Sequence, residues 1–157
     1  MTLADRALAT LDAVTAALPD GGELREGQRE MAAAVAEAIA DEHHLIVQAG
    51  TGTGKSLAYL VPAALSSRRP VVVVTATKAL QDQLVTKDLP FLAGHLDREL
   101  DYALLTGRSN YLCRQRVAEL DTDQAELGLD DVDERVPSRE LERLLAWADE
   151  TDSGDRA

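Results

Sequence analysis

A glycine-rich segment in the first half of the chain has the residue types that hold a phosphate. In chain order its residues are Ala49, Gly50, Thr51, Gly52, Thr53, Gly54, Lys55 and Ser56. They fit the pattern Ala/Gly-x4-Gly-Lys-Ser/Thr. Glycines let successive backbone N–H groups point inward at phosphate oxygens, and a helix beginning near Lys55 adds the positive end of its dipole. Lys55 can reach the β- and γ-phosphates of a nucleoside triphosphate as the catalytic residue, and the Ser56 hydroxyl can ligate magnesium.

The elements that must position this loop are predicted from short apolar runs. His44–Ala49 leads directly into the loop, Val71–Thr75 contains four consecutive valines, and Tyr102–Thr106 is a third run. A continuous apolar run is typical of a parallel strand that is covered on both faces. Apolar residues at helical spacing separate the runs, at Leu57–Leu65 and Lys78–Leu92. The order strand, helix, strand, helix, strand predicts an α/β fold with a parallel sheet.

Helical spacing predicts three more helices outside that unit. One covers residues 2–18, a second runs from about Glu26 to Ala40, and a third runs from Ser138 to about Asp149. Residues 119–134 are acidic with weak periodicity, which predicts a loop or a poorly ordered segment. A dinucleotide-binding fold is excluded, because the spacing Gly-x-Gly-x-x-Gly fails where lysine occupies position 55.

The charge of the chain is unevenly distributed. The net charge of -12 argues against a nucleic-acid partner, since phosphate binding favours basic surfaces. Residues 1–118, however, hold 12 Lys/Arg and 14 Asp/Glu, whereas residues 119–157 hold 4 Lys/Arg and 14 Asp/Glu. The acidity therefore belongs to the tail, and the first part can still present a basic stripe.

Hydropathy and cysteine content indicate the compartment. No apolar run approaches the roughly 20 residues of a membrane helix, and the N-terminus has no signal-peptide pattern. One cysteine in 157 residues cannot form an internal disulfide. We expect a cytoplasmic protein without a membrane partner, and the sequence does not identify its protein partners.

Three further segments carry a family resemblance. They are Leu24–Met31, Thr75–Leu84 and Leu105–Cys113. Together with the glycine-rich loop they resemble the start of the DinG-type helicases, bacterial relatives of the XPD helicase within superfamily 2. The resemblance covers roughly residues 23–116. It implies a RecA-like lobe that binds ATP and magnesium and single-stranded DNA.

The resemblance also implies roles for residues outside the loop. In the segment similar to the adenine-recognising Q motif, Gln28 would bind the adenine edge and Arg25 would position the segment. The alternative is that both are ordinary polar residues at a helix start. In the segment similar to motif Ia, the residues that would hold a single-strand phosphate are Thr75, Thr77, Lys78 and, more weakly, Gln81. The alternative there is a plain helix cap by one of the threonines.

The third segment resembles one that supplies the first cysteine of an iron–sulfur cluster. A [4Fe-4S] cluster needs four thiolates, so Cys113 could serve only with cysteines beyond residue 157. The alternative for a lone cysteine is a buried free thiol.

Parts needed for hydrolysis are missing from the sequence. An acidic pair after an apolar strand and an arginine from a second lobe are required. The nearest match, Val132–Arg135, lacks the preceding strand and is interpreted as a solvated acidic turn. We therefore expect a fragment with three regions: an N-terminal helix (1–22), a partial RecA-like lobe (23–107) and the start of an acidic, helical or loop-rich iron–sulfur insert (108–157).

The function expected from these residues and this resemblance is the N-terminal part of an ATP-dependent DNA helicase. It would move 5′ to 3′ on single-stranded DNA in repair or replication, and the fragment would bind ATP without turnover. One alternative is another P-loop enzyme, such as a metabolite kinase whose lid uses Arg108, Arg114 and Arg116. A second alternative is a non-catalytic nucleotide-binding module whose acidic tail docks a protein.

Overall fold

The computed structural model describes residues 1–19, 21–66, 70–119 and 138–155, and the elements in them are helical. The first unit, Met1–Leu104, contains α1 (Leu3–Ala16), α2 (Glu26–Asp41), α3 (Lys55–Leu65), α4 (Lys78–Gln83), a π-helical turn (Leu84–Asp88) and α5 (Leu89–Ala93). The second unit, Leu105–Ala157, contains a 3₁₀ turn (Arg108–Asn110), a helical segment α6 (residues 114–119) and α7 (Ser138–Glu150).

The predicted parallel sheet is not present in the part of the chain that the structure describes. The three runs predicted as strands lie outside every helix and strand, and the backbone bridge found among the described residues joins Tyr111 to Asp155 instead. Side chains expected inside the sheet are open to solvent, with Ile46 97% exposed, Val72 81% and Val74 87%. The prediction of an α/β, RecA-like lobe built on a parallel sheet is therefore wrong for this structure.

The physical reason is that a strand requires a partner. Valine and isoleucine fit a pleated and half-buried surface, but their propensity does not supply the neighbouring backbone that a ladder needs. Residues 44–49, 71–75 and 102–106 form no backbone ladder with another segment among the described residues. The strands predicted at these three runs are therefore not observed, because a β-forming composition does not supply the partner that a ladder requires.

The helix predicted over residues 2–18 is observed as α1, and its start follows from a capping box. The Thr2 hydroxyl accepts a hydrogen bond from the Asp5 backbone N–H at 3.1 Å, and the Asp5 carboxylate accepts one from the Thr2 N–H at 2.8 Å. These bonds satisfy two N–H groups that a helix start leaves without partners. They also hold the pKa of Asp5 below its ordinary value.

The core of the first unit lies where α1, α2 and α3 meet. Its fully buried side chains repeat at helical spacing and are Ala7, Leu11 and Val14 of α1, Ala32 and Ala36 of α2, and Ala58 and Val61 of α3. Four of these seven are alanines, which let the helix backbones approach closely. The core is thus built from small residues around Leu11 and the two valines.

The remaining elements differ in detail from the expected ones. The helix predicted over Lys78–Leu92 is observed as α4, the π-helical turn and α5 in succession, with Leu84 and Leu92 buried. The last predicted helix is observed as α7, with Leu141 buried. Residues 120–134 of the predicted acidic loop lie outside the described residues, as does Val132–Arg135. Each helix that the structure describes is too short or too polar to span a bilayer.

We expect Leu11→Ala to lower the free energy of unfolding by about 2–5 kcal/mol, because it empties a fully buried position in the three-helix core. The matched control is Leu24→Ala, the same chemical change at a side chain that is 56% exposed, with an expected effect within about 0.5 kcal/mol. Urea unfolding followed by far-UV circular dichroism measures both. Equal losses in the two variants would show that α1 does not contribute to the core.

Candidate nucleotide site

The glycine-rich segment forms a tight turn that ends directly at a helix. Gly52 and Gly54 adopt φ angles of 74° and 75°, a left-handed backbone conformation that glycine adopts at little cost. Gly54 is the residue that precedes α3, and Lys55 is the first residue in it. The predicted helix start is therefore observed, and the loop faces the positive end of the α3 dipole.

The backbone N–H groups of the loop are available to a ligand. In the described part of the chain, those of residues 50–54 donate to no other residue. The side chain of Thr53 closes the turn by donating from its hydroxyl to the Gly50 carbonyl at 3.1 Å. Polar backbone groups in such a turn are otherwise satisfied by water or by an anion.

The Lys55 amine folds back over the loop. Its Nζ donates to the Ala49 carbonyl at 3.1 Å and also to the Gly50 carbonyl. The amine therefore lies against the first two residues of the loop and neutralises carbonyl dipoles there. A lysine in this position carries a compact charge on a flexible stem, so it can change partner without moving the backbone.

Gln28 and Arg25 both contact the glycine-rich loop. Gln28 lies in the first turn of α2, is 6% exposed, and donates from Nε2 to the Gly54 carbonyl at 2.9 Å. A Cβ on Gly54 would overlap the Gln28 amide. Arg25, the residue that precedes α2, donates from Nη1 to the Gly52 carbonyl. The structure thus brings the segment around Gln28 directly against the loop.

Ser56 and Tyr59 lie one turn apart near the start of α3. Burial raises the pKa of the Tyr59 phenol above its ordinary value, and a hydrogen bond from the Ser56 side chain acts in the opposite direction. The hydroxyl predicted to ligate magnesium therefore lies near the Tyr59 phenol. A hydroxyl group rotates readily about its Cα–Cβ bond.

The segment similar to motif Ia uses its threonines for local structure. The Thr77 hydroxyl accepts from the Leu80 N–H at 3.3 Å and caps α4, and the Thr75 hydroxyl donates to the Thr77 carbonyl at 3.1 Å. The capping alternative is therefore observed at Thr77. Lys78 is exposed and Gln81 is half-buried, so Lys78 is the residue of this set that offers a free charge to solvent.

Cys113 is an exposed free thiol, so the buried-thiol alternative is wrong. Among the described residues, no group of three or more His, Cys, Asp or Glu could hold a metal ion. One thiolate does not hold a four-thiolate cluster. The described residues therefore do not form an iron–sulfur site by themselves.

The N-terminal helix α1, for which the sequence predicts no role, has two residues that contact the helices carrying the site. Asp12 pairs with Arg29 of α2 through both carboxylate oxygens, and this pairing holds the pKa of Arg29 above its ordinary value. Arg6 donates to the Leu65 carbonyl at the end of α3 at 3.0 Å. The signal available in the sequence was weak, because isolated charges on a helix are usually solvated.

Comparison with known proteins identifies a matching family and several relatives. The DEAD/DEAH box helicase family matches residues 28–123. An ATP-dependent helicase DinG from Mycobacterium tuberculosis is 51% identical over 150 residues, which cover 87% of this chain and 23% of the relative. The ATP-dependent DNA helicase YoaA from Escherichia coli is 44% identical over 135 residues, covering 86% and 20%. A protein named 3′-5′ exonuclease DinG from Bacillus subtilis is 36% identical over 143 residues, covering 89% and 15%.

The chain thus spans less than a quarter of the length of each of these relatives. The resemblance to the DinG-type helicases that the motifs indicated is confirmed by these identities. The family match covers more than half of the chain and includes Gln28, the glycine-rich loop, Thr75–Leu84 and Cys113. The chain belongs to the DEAD/DEAH box helicase family.

Proposed function

We propose that this chain is the nucleotide-binding part of an ATP-dependent DNA helicase, and that residues 49–56 hold the phosphates of ATP. The observation that carries the proposal is the loop itself: its N–H groups have no partner among the described residues, and the Lys55 amine lies within it. A glycine-rich turn whose N–H groups lack protein partners at the start of a helix is a site suited to a phosphate.

Binding of ATP with magnesium would replace hydrogen bonds that the loop side chains make within the protein. The Lys55 amine would leave the carbonyls of Ala49 and Gly50 for the β- and γ-phosphate oxygens, where charge-assisted bonds are stronger. The Ser56 hydroxyl would rotate to ligate magnesium. Both changes are side-chain rotations. Magnesium supplies charge neutralisation between the phosphates when it is bound.

The adenine base would be recognised by Gln28. A primary amide has two N–H donors and one carbonyl acceptor, and the bond to the Gly54 carbonyl uses one donor. The remaining donor and acceptor suit N7 and the amino group of adenine, which prefer a bidentate amide. Arg25 would not contact the adenine itself. It would position the loop, since its side chain donates to the Gly52 carbonyl.

Single-stranded DNA would be held by the segment that begins at Thr75. Lys78 is exposed at the start of α4 and supplies the charge, while Thr75, Thr77 and Gln81 would add polar contacts to phosphate or sugar. ATP-driven movement in the 5′-to-3′ direction, and a role in DNA repair, rest on the resemblance to the DinG-type helicases. A location in the cytoplasm stays a prediction.

An iron–sulfur cluster bound through Cys113 also stays a proposal. It requires three further thiolates, which this chain does not contain. The exposure of Cys113 is compatible with a ligand role, because a thiol in contact with solvent can be reached by cysteines of another segment.

We expect Lys55→Ala to weaken ATP binding by about 10- to 100-fold, because a hydrogen bond to a charged group is worth about 1.5–3 kcal/mol. Titration of the 157-residue chain with a fluorescent ATP analogue in the presence of magnesium measures the effect. Lys87→Ala is the matched control, since Lys87 is an exposed lysine in the π-helical turn. The ATP affinity of this variant should stay that of the wild type.

Two outcomes of this titration would favour the alternatives. Equal affinities for wild type and Lys55→Ala would favour a non-catalytic module with an unused loop. Tight binding together with phosphoryl transfer to a small hydroxyl compound would favour the kinase alternative.

We expect the 157-residue chain to bind ATP without hydrolysing it. The acidic pair and the second-lobe arginine that orient and activate the attacking water are not found in its sequence. Release of inorganic phosphate from ATP, measured with and without single-stranded DNA, should stay at the rate of the Lys55→Ala variant. A faster release that depends on Lys55 would contradict this expectation.

We expect Lys78→Ala to weaken the binding of a single-stranded oligonucleotide and to reduce the dependence of log K on log salt by about 0.7. Lys78→Arg keeps the charge and should keep the slope. Fluorescence anisotropy at several salt concentrations measures both variants. An unchanged slope in Lys78→Ala would show that this side chain does not contact a phosphate.

A further inference from the structure

The N-terminal helix α1 contacts both helices on which the proposed ATP site is built. Its core residues pack against α2 and α3, Asp12 pairs with Arg29 of α2, and Arg6 donates to the Leu65 carbonyl at the end of α3. α1 therefore restricts how α2 can rotate or slide relative to α3. The contact between Gln28 and Gly54 is the point at which those two helices meet the loop.

The Asp12–Arg29 ion pair lies beside the contact between Gln28 and Gly54. Gln28 and Arg29 are consecutive residues in the first turn of α2, about 100° apart around the helix axis. The side chain of Gln28 contacts the loop, and that of Arg29 contacts α1. A rotation of this turn that breaks the Asp12–Arg29 pair would also move the Gln28 amide away from Gly54.

The chemistry of the pair suits it to fixing an orientation. Both carboxylate oxygens of Asp12 accept from Nη1 of Arg29, and a guanidinium is planar and loses little freedom in such a contact. The two side chains are 31% and 35% exposed, so the pair is partly shielded from solvent. The next ion pair along this segment, Arg25 with Glu23, is longer at 3.9 Å and more exposed.

We propose that Asp12 and Arg29 are positioning residues for nucleotide binding, which hold the Gln28 amide against Gly54 and thereby hold the loop in its binding shape. The proposal rests on the proposed function, since it concerns the same site. It extends that site to α1, a helix that contacts no part of the loop in the hydrogen bonds of the described residues.

The first test compares ATP affinities of full 157-residue variants, using a fluorescent ATP analogue with magnesium. Arg29→Met keeps the length of the side chain without its charge, and Asp12→Asn removes the charge of its partner. We expect each variant to weaken binding by about two- to fivefold, the range that a partly exposed ion pair supports. Arg29→Lys keeps the charge and should recover most of the affinity.

Glu37→Gln is the matched control for Asp12→Asn, because Glu37 is an exposed acidic residue on α2. It should bind ATP as the wild type does. Thermal unfolding of every variant sets an assay temperature at which all of them are folded. If Arg29→Met is unfolded at every usable temperature, Asp12→Asn and Arg29→Lys make the same comparison.

The second test separates positioning from a general loss of stability. In a Gln28→Ala background, Arg29→Met should weaken ATP binding no further, because the side chain that it positions is gone. An equal loss with and without Gln28 would overturn the proposal, as would unchanged affinity in both Arg29→Met and Asp12→Asn.

The same titrations separate this proposal from the proposed function. Binding that is lost in Lys55→Ala but retained in Arg29→Met and Asp12→Asn overturns the positioning role alone. No measurable binding by the wild-type chain overturns both. Loss in Lys55→Ala together with a Gln28-dependent loss in Arg29→Met supports both.

Discussion

The contact between the Gln28 amide and the Gly54 backbone joins the two sequence segments on which nucleotide binding would depend. It requires glycine at position 54, because a Cβ there would overlap the amide and the φ of 75° disfavours other residues. It also requires α2 and α3 to be held at a fixed separation. The alanine-rich core shared with α1 provides that separation. One hydrogen bond of 2.9 Å thus links the packing of three helices to the shape of a loop.

The loop is held in shape by donors that would also serve a nucleotide. Arg25, Gln28 and Lys55 all donate to its carbonyl groups. The N–H groups of the loop, in contrast, donate to no other residue among those described. A carbonyl is a weaker acceptor than a phosphate oxygen, so the amine of Lys55 can be recruited from one to the other. For a bound phosphate, the protein would supply both the backbone N–H groups of the loop and the Lys55 amine.

Local features could be read from the sequence, whereas long-range ones could not. The positive φ angles of Gly52 and Gly54, the start of α3 at Lys55 and the extent of α1 follow from residue types and short spacings. The sheet was expected because β-forming runs were assumed to pair, and pairing is a property of partners distant in sequence. The pairing of Asp12 with Arg29 was missed for the same reason, since these residues meet only after two helices have packed.

The exposed valine run, Val71–Val74, affects how the chain behaves in solution. Val71–Val74 presents β-branched side chains to water together with backbone groups that lack a ladder. Such a segment is a template on which a second molecule can add its own backbone. No charged residue interrupts the run between positions 71 and 77 to oppose this. Self-association should therefore begin at this segment and should be faster in a concentrated sample than in a dilute one.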